Sequence, residues 1–157
     1  MAQAAAAALW AAAAAASGAH GHHDHHHHHV APHGGTLVVL GEEFAHLELV
    51  VDRKTGAMTA YVLDGEAERG VAISQTLLEI DAAPSGGDPF TVQLAPVENV
   101  LTGETSGNTS QFAGEADPLK TLRRFEGEVR QIEVRGQRFE AVAFRFPEGN
   151  EDGEDAR

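Results

Sequence analysis

The chain of 157 residues contains no cysteine. That absence removes disulfides, thiolate metal sites, cysteine nucleophiles and lipidation on an N-terminal cysteine together. Basic residues are also scarce: 11 Lys and Arg stand against 24 Asp and Glu, for a formal net charge of −13. Phosphate backbones are bound by basic faces, so this balance argues against a nucleic-acid partner. Long hydrophobic runs are missing too. The longest apolar stretch is the alanine-rich segment 2–16, shorter than the roughly 20 residues that span a bilayer. The signatures of common catalytic machinery are lacking as well. There is no Gly-x-Ser-x-Gly, no His-Glu-x-x-His, and no glycine-rich phosphate loop between a strand and a helix. A non-catalytic protein is the expectation.

Residues 2–16 hold twelve alanines around Leu9 and Trp10. The stretch has the length of a signal-peptide apolar core, and Ser17-Gly18-Ala19 supplies the small residues a signal peptidase reads. Residues 1–19 are therefore expected to be an export signal cleaved after Ala19, which places the mature chain in the periplasm or outside the cell. The competing reading is an uncleaved Ala-rich helix, since alanine has the highest helix propensity.

Ten histidines are present, and eight of them, His20, His22, His23, His25, His26, His27, His28 and His29, fall within ten residues beside Asp24. Neutral imidazole is a ligand for zinc, copper and nickel. A flexible run of imidazoles wraps an ion without a preformed cage, and selects little among divalent ions of this class. Residues 20–31 are expected to form a His-rich linker without a packed core, disordered in the absence of metal. The run of five is interrupted upstream by Asp24 and Gly21 and follows a signal-like segment, unlike an ordinary purification tag. A pH-sensitive tether that binds metal incidentally is the blander alternative.

Beyond the tract the hydrophobic period is two, the signature of strands. Strands are expected over residues 36–40, 44–52, 58–64, 76–81, 90–94, 128–134 and 138–146. Gly56 lies where the turn after residues 53–55 wants a positive φ. Residues 102–117 are polar and Gly-rich and read as a long surface loop, and 118–124 as a helical turn or two. The fold class is all-β: an antiparallel β-sandwich or small barrel of about seven strands. The domain is expected over 32–147, and 148–157, with five acidic residues in ten, as a solvated, disordered tail.

Two histidines lie outside the tract, His33 and His46. His46 and Glu48 are two apart on a strand and share a face, about 7 Å apart at Cα. That face is opposite the stripe of Ala45, Leu47, Leu49 and Val51. Donors so spaced can converge on one ion at about 2 Å each. Gly34-Gly35 gives the backbone room to bend after His33. The candidate domain site is His33 and His46, with Glu48 as third ligand or as a group that orients them. Otherwise His46 is a surface residue hydrogen-bonded to Glu48.

The run Pro32-His33-Gly34-Gly35, then His46-Leu47-Glu48-Leu49-Val50, then Tyr61-Val62-Leu63-Asp64, resembles small exported bacterial β-domains. It is similar to N-terminal extensions of the periplasmic adaptor proteins of heavy-metal efflux RND (resistance-nodulation-division) systems. Phe125-Glu-Gly-Glu-Val129 and Arg135-Gly-Gln-Arg-Phe139 would be closing strands of the same domain. The resemblance covers residues 32–64 best. It implies a periplasmic protein handling zinc, copper or nickel, with an efflux or transport protein as partner. The helical hairpin, lipoyl and barrel domains of an adaptor are not read in this sequence, so it is not expected to be the adaptor itself. The alternative function is an interaction module whose exposed patch is Phe44 with Val50, or Tyr61 with Leu63.

Overall fold

The computed structural model of the chain describes residues 28–151. Residues 1–19, read above as an export signal, the tract histidines from His20 to His27 and the residues after Glu151 lie outside the described residues.

Among the described residues eight strands form one antiparallel sheet that curls into a nearly closed barrel. They are β1 (Thr36–Leu40), β2 (Ala45–Asp52), β3 (Ala57–Leu63), β4 (Leu78–Ala83), β5 (Phe90–Pro96), β6 (Gln111–Glu115), β7 (Phe125–Val134) and β8 (Gln137–Phe146). Their order around the sheet is β1-β2-β3-β6-β5-β4-β7-β8. The all-β expectation holds, in its barrel form and with one strand more. Among the described residues no helix is long and apolar enough to cross a membrane.

The added strand is β6, inside the stretch read as a loop. Its five residues, Gln-Phe-Ala-Gly-Glu, carry a single large apolar side chain, too little to show a period. Phe112 is nevertheless fully buried, and the segment pairs with β3 on one side and β5 on the other. Long-range pairing overrides a weak local pattern here. Residues 118–124, read as one or two helical turns, contain the end of a single 3-10 turn, Asp117–Lys120.

Alternation decides which residues enter the barrel. Along β2, Ala45, Leu47 and Leu49 point inward and are fully buried. They meet Val38 and Leu40 of β1, and Met58, Ala60 and Val62 of β3, in the main core. Gly56, with φ 80°, closes the β2–β3 turn. Burying each Val, Leu or Met side chain contributes about 1.5–3 kcal/mol.

The outward face of β1, β2 and β3 is not left to solvent. Residues 28–35 cross it as a strap. Leu37, Leu63 and Ala67 form a second cluster beneath, with Ala31 and Tyr61 packed against it. The patch of Tyr61 and Leu63 expected on the surface is thus covered. Phe44 of the other expected patch is half-buried, its ring 5.8 Å from that of Phe139.

The acidic tail also departs from expectation at its start. Residues 147–150 run along the seam between β8 and β1. Thr36 Oγ1 donates to the Pro147 carbonyl at 3.0 Å, and Gly149 bridges to Arg145. The Asn150 side-chain amide pairs with the backbone of Val39, accepting from its N–H at 2.6 Å and donating to its carbonyl at 3.2 Å. A side-chain amide thus takes the place of a neighbouring strand on the β1 edge. Glu148 is ion-paired with Arg124. An unpaired edge strand invites association, and the tail covers this one.

Candidate metal centre

Register puts the chemistry-bearing residues in two rows on the outer face. Leu37, Glu48 and Tyr61 are cross-strand partners in one row, and Val39, His46 and Leu63 in the next. His46 and Glu48 are both buried, with no exposed surface. The expectation of a shared face opposite the core stripe is met. Their burial comes from the strap and the tail, which the strand pattern does not reveal.

Glu48 is an anchor for the strap. Its Oε1 accepts from the backbone N–H of His33 at 2.8 Å and of Gly35 at 2.9 Å. Its Oε2 lies 2.7 Å from His33 Nδ1. The His33 ring stacks on Tyr61, with centroids 3.8 Å apart and planes 10° apart. Gly35 is required for this approach: a Cβ there would stand 2.6 Å from the Leu49 carbonyl oxygen and 2.9 Å from Glu48 Cγ. His33 and Glu48 therefore do come together, as a hydrogen-bonded pair. They are not joined with His46 in one ligand set.

His46 belongs to a different group. Its Nδ1 lies 3.1 Å from the Asp64 backbone carbonyl. A carbonyl only accepts, so Nδ1 carries a proton, and in the neutral ring Nε2 then presents a lone pair. Nε2 is buried and, among the described residues, has no hydrogen-bond partner. It faces His29 and Glu151. The His29 and His46 rings are 4.6 Å apart, His29 Nδ1 is 3.3 Å from Glu151 Oε1, and His46 Nε2 is 3.8 Å from the same oxygen. One ligand atom from each of the three residues falls within 4.8 Å of the others. Tetrahedral donors at about 2 Å from an ion stand roughly 3.3 Å apart, so the His29–Glu151 pair already has that spacing and the wider gaps, up to 4.8 Å, would have to close on coordination.

Local structure explains this meeting. Asp64 begins the loop after β3, and its Oδ1 accepts from the N–H groups of Glu68 and Arg69 at 3.0 and 3.3 Å. The Glu68 bond, first among several, holds the Asp64 carboxyl below its usual range. The ordered loop fixes the carbonyl that orients His46. On the other side, Asn150 docks at Val39, the cross-strand partner of His46, and so delivers the next residue, Glu151. His29 arrives on the strap that Glu48 anchors.

Of the residues expected to bind metal, His29 and His46 are in this group, His33 and Glu48 form the neighbouring pair, and His28 is exposed nearby in sequence. Glu151 was not expected. It reads as one carboxylate in an acidic tail, and only Asn150, a residue prone to backbone-like hydrogen bonding, hints that the tail docks.

Away from this centre, Arg130 is held by Asp81, Glu79 and Thr91 at 2.7, 3.0 and 3.0 Å. Its hydrogen bond lowers the Asp81 carboxyl below the ordinary range, helped by Thr91.

Compared with protein-family models, curated proteins and solved structures, the chain matches none.

Proposed function

We propose that this chain is a non-catalytic metal-binding protein. Its histidine tract captures zinc, copper or nickel, and the barrel holds one ion at His29, His46 and Glu151. The buried Nε2 of His46 carries this reading. Leaving a buried polar atom without a partner costs about 1–3 kcal/mol, and a cation at that lone pair removes the cost. The oriented tautomer supports it further, because ligating imidazoles commonly donate their other N–H to a carbonyl. Two imidazoles and a carboxylate suit borderline first-row ions better than calcium or magnesium, which prefer oxygen.

Buffering, or delivery to a heavy-metal efflux or uptake protein in the periplasm, is the role we assign to it. The export-like leader and the resemblance of residues 32–64 support that role. Titration calorimetry of the full chain with each of the three ions is the test. His46→Ala is expected to remove one ion from the stoichiometry, and replacing the tract histidines from His20 to His28, with His29 kept, to remove at least one more. Unchanged stoichiometry on His46→Ala overturns the barrel site; unchanged stoichiometry without the tract overturns the capture role.

The interaction-module reading has one observation in its favour. Val100 and Leu101 are each 96% exposed, side by side on a turn bridged by Asn99 and Glu104. A partner retained equally with and without chelator favours that reading.

A further inference from the structure

We propose that the ion at this centre is a clasp that holds both ends of the barrel domain over its β1 edge; this rests on the metal-binding reading above. Only one of the three ligands, His46, belongs to a strand. His29 rides on the strap and Glu151 on the tail. Each arm docks through its own few bonds. The strap has the His33 and Gly35 N–H bonds to Glu48 and the stack on Tyr61. The tail has the Asn150 amide pair on Val39 and the Thr36 bond to Pro147.

Among the described residues the arms meet at the His29–Glu151 contact and at His46, where the donors lie 3.3 and 3.8 Å apart. An ion that takes all three donors therefore requires both arms closed at once. If either arm lifts, two donors remain. A ligand that binds the closed form alone multiplies its population by about 1 + [L]/Kd. Zinc at 100 times its Kd then makes opening about 100-fold rarer. The same coupling sets the exit route: the ion leaves when the strap or the tail lifts, because those movements remove its ligands while His46 stays fixed. Metal loading and coverage of the Val39 backbone groups are two faces of one equilibrium.

Amide hydrogen exchange on the full chain tests this, with zinc as the probe and calorimetry run in parallel. The amides of Val39, His33 and Gly35 report the two arms directly, since each donates to an arm or to its anchor. With zinc at 100 times Kd, their exchange is expected to slow by up to about 100-fold. The Ser110 amide, which donates to Glu104, is expected to be unmoved. His46→Gln, shown folded by circular dichroism, should abolish the zinc-dependent slowing. Asn150→Ala removes no ligand, yet should weaken zinc binding at the His46-dependent site by several-fold. If zinc binds with His46-dependent stoichiometry while those three amides are unchanged, or if Asn150→Ala binds zinc as tightly as wild type, the clasp is wrong and the metal site stands. If no ion depends on His46, both fall.

Discussion

Glu48 offers a sharp perturbation, because its hydrogen bonds go to His33 and Gly35 rather than to a proposed ligand, yet they anchor the segment that carries one. Its carboxylate has no exposed surface and accepts two backbone N–H bonds at 2.8 and 2.9 Å. Glu48→Ala leaves those donors without an acceptor and opens a gap beneath the strap. Each hydrogen bond to a charged group contributes about 1.5–3 kcal/mol, partly offset by the cost of burying the carboxylate. The balance is a loss of about 3 kcal/mol. For a domain of this size that lowers Tm by roughly 10 °C. Glu48→Gln keeps one oxygen for both backbone donors and changes only the charge and the group facing His33 Nδ1. Its cost should be about 1 kcal/mol. The order wild type, Gln, Ala is thus expected in thermal melts followed by circular dichroism. Calorimetry with zinc should show the His46-dependent site weakened by about 10-fold or more in Glu48→Ala, since outer groups that orient ligands carry such effects. Melting of Glu48→Ala within 2 °C of wild type would refute the anchor. A large drop in Tm with unchanged zinc affinity would keep the anchor and refute its role in positioning His29.

Two further outcomes follow from the packing and the charges. Phe112→Ala, at the centre of the short strand β6, should cost about 3–5 kcal/mol in urea unfolding; a loss under 1 kcal/mol would mean that this segment is not a wall of the barrel. Asp81 has a folded pKa below its ordinary value, chiefly through the Arg130 hydrogen bond. Its contribution is therefore fully present above the ordinary carboxylate pKa and is lost as pH falls through the lowered folded value. Asp81→Asn should destabilise by less than about 1 kcal/mol at pH 7, because the pair is partly exposed, and the gap should close in acid once the folded-state carboxyl is protonated. A gap that persists in acid would assign the effect to packing.

The strands were legible where the chain alternates strongly. Residues 36–40 and the pairing of 44–52 with 58–64 follow from apolar spacing and from Gly56. The β6 strand was not, because one phenylalanine among Gln, Ala, Gly and Glu shows no period. Strand ends moved by one to three residues, as with Leu78–Ala83 against 76–81, since hydrogen bonding rather than polarity ends a strand. For the site, the shared face of His46 and Glu48 was legible from their spacing, and the bend at Gly34-Gly35 from the glycines. Their separation into two groups was not, because each is completed by a residue from elsewhere in the chain.

By itself the sequence determined the all-β class, the inward stripe of β2, and the concentration of imidazole between residues 20 and 46. These are properties of neighbours along the chain, and period-two alternation expresses them directly. Only the tertiary structure decided that the opposite face is buried, that Glu48 is occupied by the strap, and that Glu151 completes the group at His46. Those outcomes depend on where β8 ends relative to β1. Barrel closure brings residue 151 beside residue 46, and nothing local to either records that meeting.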